Sequence, residues 1–182
     1  MLIPTQVPQK HHLTIIGLGN EMLSDDGLGI RVVRELKNRL GNRSVAFEEL
    51  SVGGLQLFDY LVATEECIIV DAIKTGTQPA GTLLRFVQTA DNEPVTLTSS
   101  HQIDLGQILG LARFMGASLP KRLTVYGIEA DDITTFRESC TEQVSKAIPK
   151  LVDAICADVQ TDRAEGTLST DTWHIINDLA TD

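Results

Sequence analysis

Apolar residues along the chain alternate between short continuous runs and stretches of helical spacing. Leu13 to Leu18 is an apolar run closed by Gly19, the pattern of a buried strand. Ile30, Val33, Leu36 and Leu40 then recur at helical intervals, with Gly41 as a stop signal. Val45 to Leu50 reads as a second, weaker strand, and Leu55, Phe58, Leu61 and Val62 as a helix. Cys67 to Ile73 is the clearest buried strand, and Thr82 to Val87 follows it as another. Gln88 to Ser100 is polar and reads as loop. Leu105, Ile108, Leu109 and Ala112 mark a helix over Ile103 to Met115, with Ser100 as its candidate cap. Leu123 to Ile128 is the last strand, and Val144, Ile148, Leu151, Val152 and Ile155 line a final helix. Pro149 sits inside that helix and predicts a kink near Ser145, whose carbonyl loses its donor. Beyond Ala157 the chain turns polar, with Trp173, Ile176 and Leu179 spaced for a short amphipathic turn.

Strands alternating with helices imply an α/β architecture, because each parallel crossover needs a helix. The expectation is a three-layer α/β/α fold around a twisted, mostly parallel sheet of about five strands. Residues 13–157 are expected to form one domain, with residues 1–12 an N-terminal extension and 158–182 a polar tail. In such sheets ligands bind outside the C-terminal ends of the strands. That edge is where chemistry is to be sought.

Composition narrows the partners. The chain has 25 acidic and 15 basic residues, a net charge of −10, and no basic cluster. Nucleic acid and anionic membrane are therefore disfavoured. No apolar run approaches the roughly 20 residues of a spanning helix, and Met1 to His12 lacks the order of a signal peptide. Cys67, Cys140 and Cys156 are odd in number and far apart, which fits a reduced, cytoplasmic compartment.

Candidate chemistry begins after the first strand. Gly17-Leu18-Gly19-Asn20-Glu21-Met22 opens like a dinucleotide fingerprint, but Met22 occupies the third glycine position, so the close helix-to-strand approach is missing. Asp25 and Asp26 then stand where a pyrophosphate would lie and would repel it. Their ordinary role is helix capping, worth about 0.5–2 kcal/mol. Capping needs one acid, however, and Glu21 makes three. Gly27 and Gly29 also occupy first-turn positions where Ala is preferred by about 1 kcal/mol, which implies backbone that must approach something closely.

Asp71 ends the run Ile68-Ile69-Val70 and is expensive to bury without donors or a cation. Loop amides alone would satisfy it. His101 lies at a loop-to-helix junction, while His11, His12 and His174 fall in the expected termini. Read alone, His101 is a capping or surface residue. Read together, Asp26, Asp71 and His101 from three strand ends make a candidate divalent-metal site suited to nickel or zinc, with open positions. There is no His-Glu-x-x-His helix and no Gly-x-Ser-x-Gly elbow, so neither a zinc-protease nor a serine-hydrolase mechanism is supported.

The ordered set of motifs goes further. Gly17-Leu18-Gly19-Asn20 through Asp25-Asp26-Gly27-Leu28-Gly29-Ile30-Arg31-Val32-Val33 resembles the opening motif of the hydrogenase maturation endopeptidases. Ile69-Val70-Asp71-Ala72-Ile73, Pro79-Ala80-Gly81-Thr82, Ser100-His101-Gln102 and Leu123-Thr124-Val125-Tyr126-Gly127-Ile128-Glu129 resemble the family's later motifs, in order, over residues 13–157. The resemblance implies an endopeptidase that removes the C-terminal extension of a [NiFe] hydrogenase large-subunit precursor after nickel insertion. It also implies that Asp26, Asp71 and His101 contact the substrate's nickel as the recognition signal, and it leaves the general base unassigned. The enzyme is expected to be a monomer. Two departures stand out: the first acidic ligand, often Glu in the family, is Asp26, and the loop after the second strand, often reading Asp-Gly-Gly-Thr, is here Glu49-Leu50-Ser51-Val52-Gly53-Gly54. The competing expectation is a non-catalytic checkpoint chaperone of the nickel-loaded subunit. A nucleotide-binding oxidoreductase is the third, disfavoured by Met22 and the two acids.

Overall fold

The computed structural model describes residues 11–41, 45–51, 55–89, 105–161 and 174–176. Its strands are β1 (His11–Leu18), β2 (Val45–Leu50), β3 (Thr64–Ile73), β4 (Leu83–Thr89), β5 (Arg122–Glu129) and β6 (His174–Ile175). Its helices are α1 (Leu28–Leu40), α2 (Leu55–Val62), α3 (Leu105–Phe114) and α4 (Glu142–Thr161), with a 3-10 turn at Ser24–Gly27 before α1. The sheet order is β2-β1-β3-β5-β4-β6. β2, β1, β3 and β5 run parallel, whereas β4 is antiparallel to β5. Only a helix-free connection separates β3 from β4, too short for the crossover that a parallel neighbour demands.

Side chains of the central strands alternate between two cores, as the pleat requires. Ile68, Val70 and Ala72 of β3 join Tyr126 and Ile128 of β5 beneath α1 and α4. Cys67 and Ile69 join Leu123, Val125 and Phe86 beneath α2 and α3. Burial on both faces explains why β3 reads as a continuous apolar run. Each fully buried Leu or Ile contributes about 1.5–3 kcal/mol, and these two slabs hold the helices on either side of the sheet. By the same alternation Asp71 belongs to the α2–α3 side.

Three expectations need correction. β1 begins at His11, inside the expected extension 1–12: the His11 N–H donates to Ala63 O at 3.1 Å, and His12 Nδ1 lies 3.1 Å from Glu65. Two polar histidines hid the start of the strand. α4 likewise overruns residue 157 and ends at Thr161. Asp158, assigned to the tail, instead pairs with Arg85 at 2.6 Å and accepts the Tyr126 hydroxyl. Finally, His174–Ile175 forms a sixth strand on β4 rather than an amphipathic turn, and the Ile176 N–H donates to Leu83 O at 3.0 Å. Trp173 and Leu179 lie outside the described residues. At Pro149 the helix continues, with Ser145 and Pro149 both exposed along it.

Candidate active site

The parallel strands present their C-terminal ends to the loop between β1 and α1, which Gly29 holds against them. A Cβ at Gly29 would lie 2.2 Å from Leu18 O and 2.4 Å from Val70 O, so the first turn of α1 sits directly on the ends of β1 and β3. The expectation that Met22 precludes a close helix-to-strand approach is thus corrected, because Gly29 supplies that approach. The surface being approached is the protein's own backbone. One consequence is functional: the 3-10 turn carrying Asp26 is pinned beside β3, one residue of which, just past Val70, is Asp71.

Both carboxylates are withdrawn from water, with Asp26 4% and Asp71 1% exposed. Burying an ionised carboxylate is costly unless donors or a cation compensate. Asp26 Oδ2 accepts the Asn20 N–H at 2.9 Å, and Asp71 Oδ1 accepts the Ala72 N–H at 2.8 Å. The two acids therefore come from separate segments, Asp26 from the turn that leads into α1 and Asp71 from the end of β3 on which that helix start is seated. His101 lies outside the described residues. α3 opens at Leu105, shortly after His101, on the side of the sheet to which Asp71 belongs. Its far end leads to the start of β5, where the Lys121 N–H donates to Glu65 O at 2.8 Å. Among the described residues no group of three or more His, Cys, Asp or Glu side chains could hold a metal.

Asp25 takes a different path from its neighbour. It is fully buried. Its Oδ2 accepts the Asp131 and Asp132 N–H groups and the Thr141 hydroxyl, each at 3.0 Å, and its Oδ1 accepts the Thr141 N–H at 2.6 Å. Neither the 3-10 turn nor α1 has a side-chain cap, so the expected capping role is replaced by a clasp on the β5–α4 loop. Hydrogen bonds to a charged acceptor are worth about 1.5–3 kcal/mol each, enough for four to offset the desolvation. Glu21, the other acid near the turn, is held by Arg34 at 2.6 Å, and Arg34 also binds Glu49 at 2.7 Å. Those bonds, Glu49 first, raise the guanidinium pKa. Neither Glu21 nor Asp25 is thereby arranged as a proton acceptor for an incoming group.

Glu129 was not singled out by its sequence context. It ends β5 as Asp71 nearly ends β3, and it is 2% exposed. Its carboxylate accepts the Thr75 hydroxyl and the Gly76 N–H, both at 2.8 Å, and so fastens the loop after β3. An acid at the end of a buried strand was the available signal, and it marks Glu129 and Asp71 equally. Nucleophilic thiol chemistry is disfavoured at Cys67, which is buried and whose pKa burial pushes up.

The chain matches the family described as hydrogenase maturation protease (HycI) over residues 30–158, well over half its length. It belongs to that family. The match includes Asp71 and the position of His101 and begins just past Asp26. The chain is 27% identical over 154 residues to the hydrogenase expression/formation protein HupD of Bradyrhizobium diazoefficiens, covering 81% of this chain and 78% of that one. It is 29% identical over 120 residues to the hydrogenase 2 maturation protease of Escherichia coli, covering 64% of this chain and 71% of that one. The hydrogenase maturating endopeptidase HybD from E. coli has a similar structure, with a TM-score of 0.71 at 24% identity over 83% of this chain and 93% of that one. At that identity the structural likeness speaks for the fold, and the family match carries the activity. This hydrogenase maturation protease is a peptidase built on an α/β sheet, and among its described residues no helix is long and apolar enough to cross a membrane.

Proposed function

We propose that this protease removes the C-terminal extension of a [NiFe] hydrogenase large-subunit precursor after nickel insertion, reading the substrate's nickel through Asp26, Asp71 and His101. The observation that carries this is the burial of Asp26 and Asp71 at one strand edge, from two separate segments. The donor set suits the task. Two carboxylates and an imidazole bind a borderline divalent ion, yet leave positions for the ligands the substrate already supplies. Nickel then belongs to the substrate, and the enzyme's residues select the loaded precursor and orient its scissile segment. Burial of the two acids strengthens that selection, because a cation entering the site compensates charge that water does not reach.

The precursor docks on the same edge. Met22 and Phe136 are 40% and 74% exposed, and the Arg137 N–H donates to Met22 O at 2.9 Å, which brings their two loops together beside Asp26. A large subunit offers an apolar counterpart to this rim, with the enzyme acting as a monomer in the cytoplasm. Incubating the protein with nickel-loaded and nickel-free precursor and weighing the products tests the reading. Shortening of the loaded form alone is expected. Binding without cleavage would favour a checkpoint chaperone, and equal cleavage of both forms would remove nickel from the recognition step.

A further inference from the structure

Ser24 adopts a left-handed backbone, φ 48°, although it carries a side chain. The two acids that follow it take their hydrogen bonds from opposite sides. Asp25 is met by the β5–α4 loop and Asp26 by Asn20 of the β1–α1 loop. The turn itself is weakly built. It is a four-residue 3-10 segment with no side-chain cap, and the Asp26 N–H is bonded to Leu23 O at 3.0 Å. Its placement is therefore imposed from outside. The Ser24 N–H donates to Arg137 O at 2.7 Å and the Asp25 N–H to Asp132 O at 2.9 Å, while Leu23 and Arg137 form a parallel bridge. The Asp25 carboxylate supplies the charged part of this clasp, with four donors from residues more than a hundred positions later in the chain.

We propose that Asp25 is a positioning residue for the peptidase reaction, holding the Asp26 carboxylate in register with β3 by clasping the 3-10 turn to the β5–α4 loop. This rests on the reading that Asp26 contacts the substrate's metal. The chemistry of the clasp demands an acid. An Asn at this position keeps the volume, but its single carbonyl oxygen can serve the Asp131, Asp132 and Thr141 hydroxyl donors only if its amide NH2 faces the Thr141 N–H. A 2.6 Å attraction becomes a contact between two donors. The turn must then shift, and Asp26 shifts with it.

The test uses Asp25→Asn and, as a milder variant, Thr141→Val, which removes only the hydroxyl donor. Amide hydrogen exchange at Asn20, whose N–H lies on Asp26 Oδ2, is measured with kcat and KM on nickel-loaded precursor, well below the melting temperature. A core variant on the α4 face, Ile155→Val, controls for lost stability. For Asp25→Asn, Asn20 exchange is expected to rise at least about tenfold, and kcat to fall roughly tenfold to a hundredfold with KM little changed, as misplacement on the ångström scale does elsewhere. Thr141→Val should move both in the same direction by a few-fold and decides the question if Asp25→Asn does not fold. Parental Asn20 exchange and kcat, with faster exchange confined to Asp131, Asp132 and Thr141, would overturn the proposal and leave Asp25 a loop fastener. If the parental protein cleaves no precursor, the functional reading fails, and Asn20 exchange alone still decides whether Asp25 positions Asp26.

Discussion

Replacing Gly29 with Ala sets two physical effects of opposite sign against each other. Gly29 lies in the first turn of α1, where intrinsic propensity favours Ala by about 1 kcal/mol. Packing opposes this. The new methyl carbon would stand 2.2 Å from Leu18 O and 2.4 Å from Val70 O, and both obstacles are backbone rather than the yielding tip of a side chain. Restoring ordinary contact requires the helix start to retreat by about 1 Å from the strand ends. Overpacking of this kind costs about 1–3 kcal/mol, and rigid neighbours put Gly29 at the upper end. The net expectation is destabilisation of about 2 kcal/mol, a fall in Tm of about 4–8 °C for a chain of this size. Thermal melts followed by circular dichroism measure the first quantity, and cleavage of nickel-loaded precursor measures the second. Because Asp26 moves with the helix start, kcat is expected to drop roughly a hundredfold even at temperatures where the variant is fully folded. An unchanged or raised Tm would show that propensity wins and that the close approach carries no constraint. A lowered Tm with parental kcat would show that the seating of α1 does not set the geometry of the site.

Other outcomes follow from individual residues. His101→Ala is expected to abolish processing of nickel-loaded precursor while stability changes by less than about 1 kcal/mol, and Asp26→Asn and Asp71→Asn should lose processing alike; cleavage at the parental rate by the histidine variant would refute metal recognition as drawn. Phe136→Ser should leave Tm unchanged, since the ring is 74% exposed, and should raise KM for the precursor; an unchanged KM would remove the Met22–Phe136 rim from docking. Asp158→Ala strands Arg85, whose side chain is 11% exposed, and should destabilise by about 1–3 kcal/mol, below the usual 3–5 for a buried pair because Asp158 is itself 31% exposed; a Tm within 1 °C of parental would show that the end of α4 is not anchored there.

Apolar patterning alone determined the elements that bury two faces. Cys67 to Ile73 read as a buried strand, and Leu36 and Leu40 ahead of Gly41 as the end of a helix, because burial of a periodic face is decided by near neighbours. The opening and central motifs were legible for the same reason: each lies on a short segment at the end of a buried strand. Polar residues at the margins were less legible. His11 and His12 masked the first turn of β1, and Asp158 looked like a solvated tail until Arg85 and Tyr126 met it across the sheet.

What only the tertiary structure decided was the fate of each acid. Asp25 and Asp26 are adjacent and identical in type, yet beyond the left-handed turn at Ser24 one meets a distant loop and the other Asn20 of the β1–α1 loop. Asp71 and Glu129 share the signature of an acid at the end of a buried strand, and Glu129 is occupied by Thr75 and Gly76. A strand's hydrophobic period is written in consecutive residues, whereas the donors that satisfy the buried Asp25 carboxylate arrive from segments more than a hundred residues away. Their arrival depends on strand order and loop closure, and nothing in the local sequence of Asp25 encodes it.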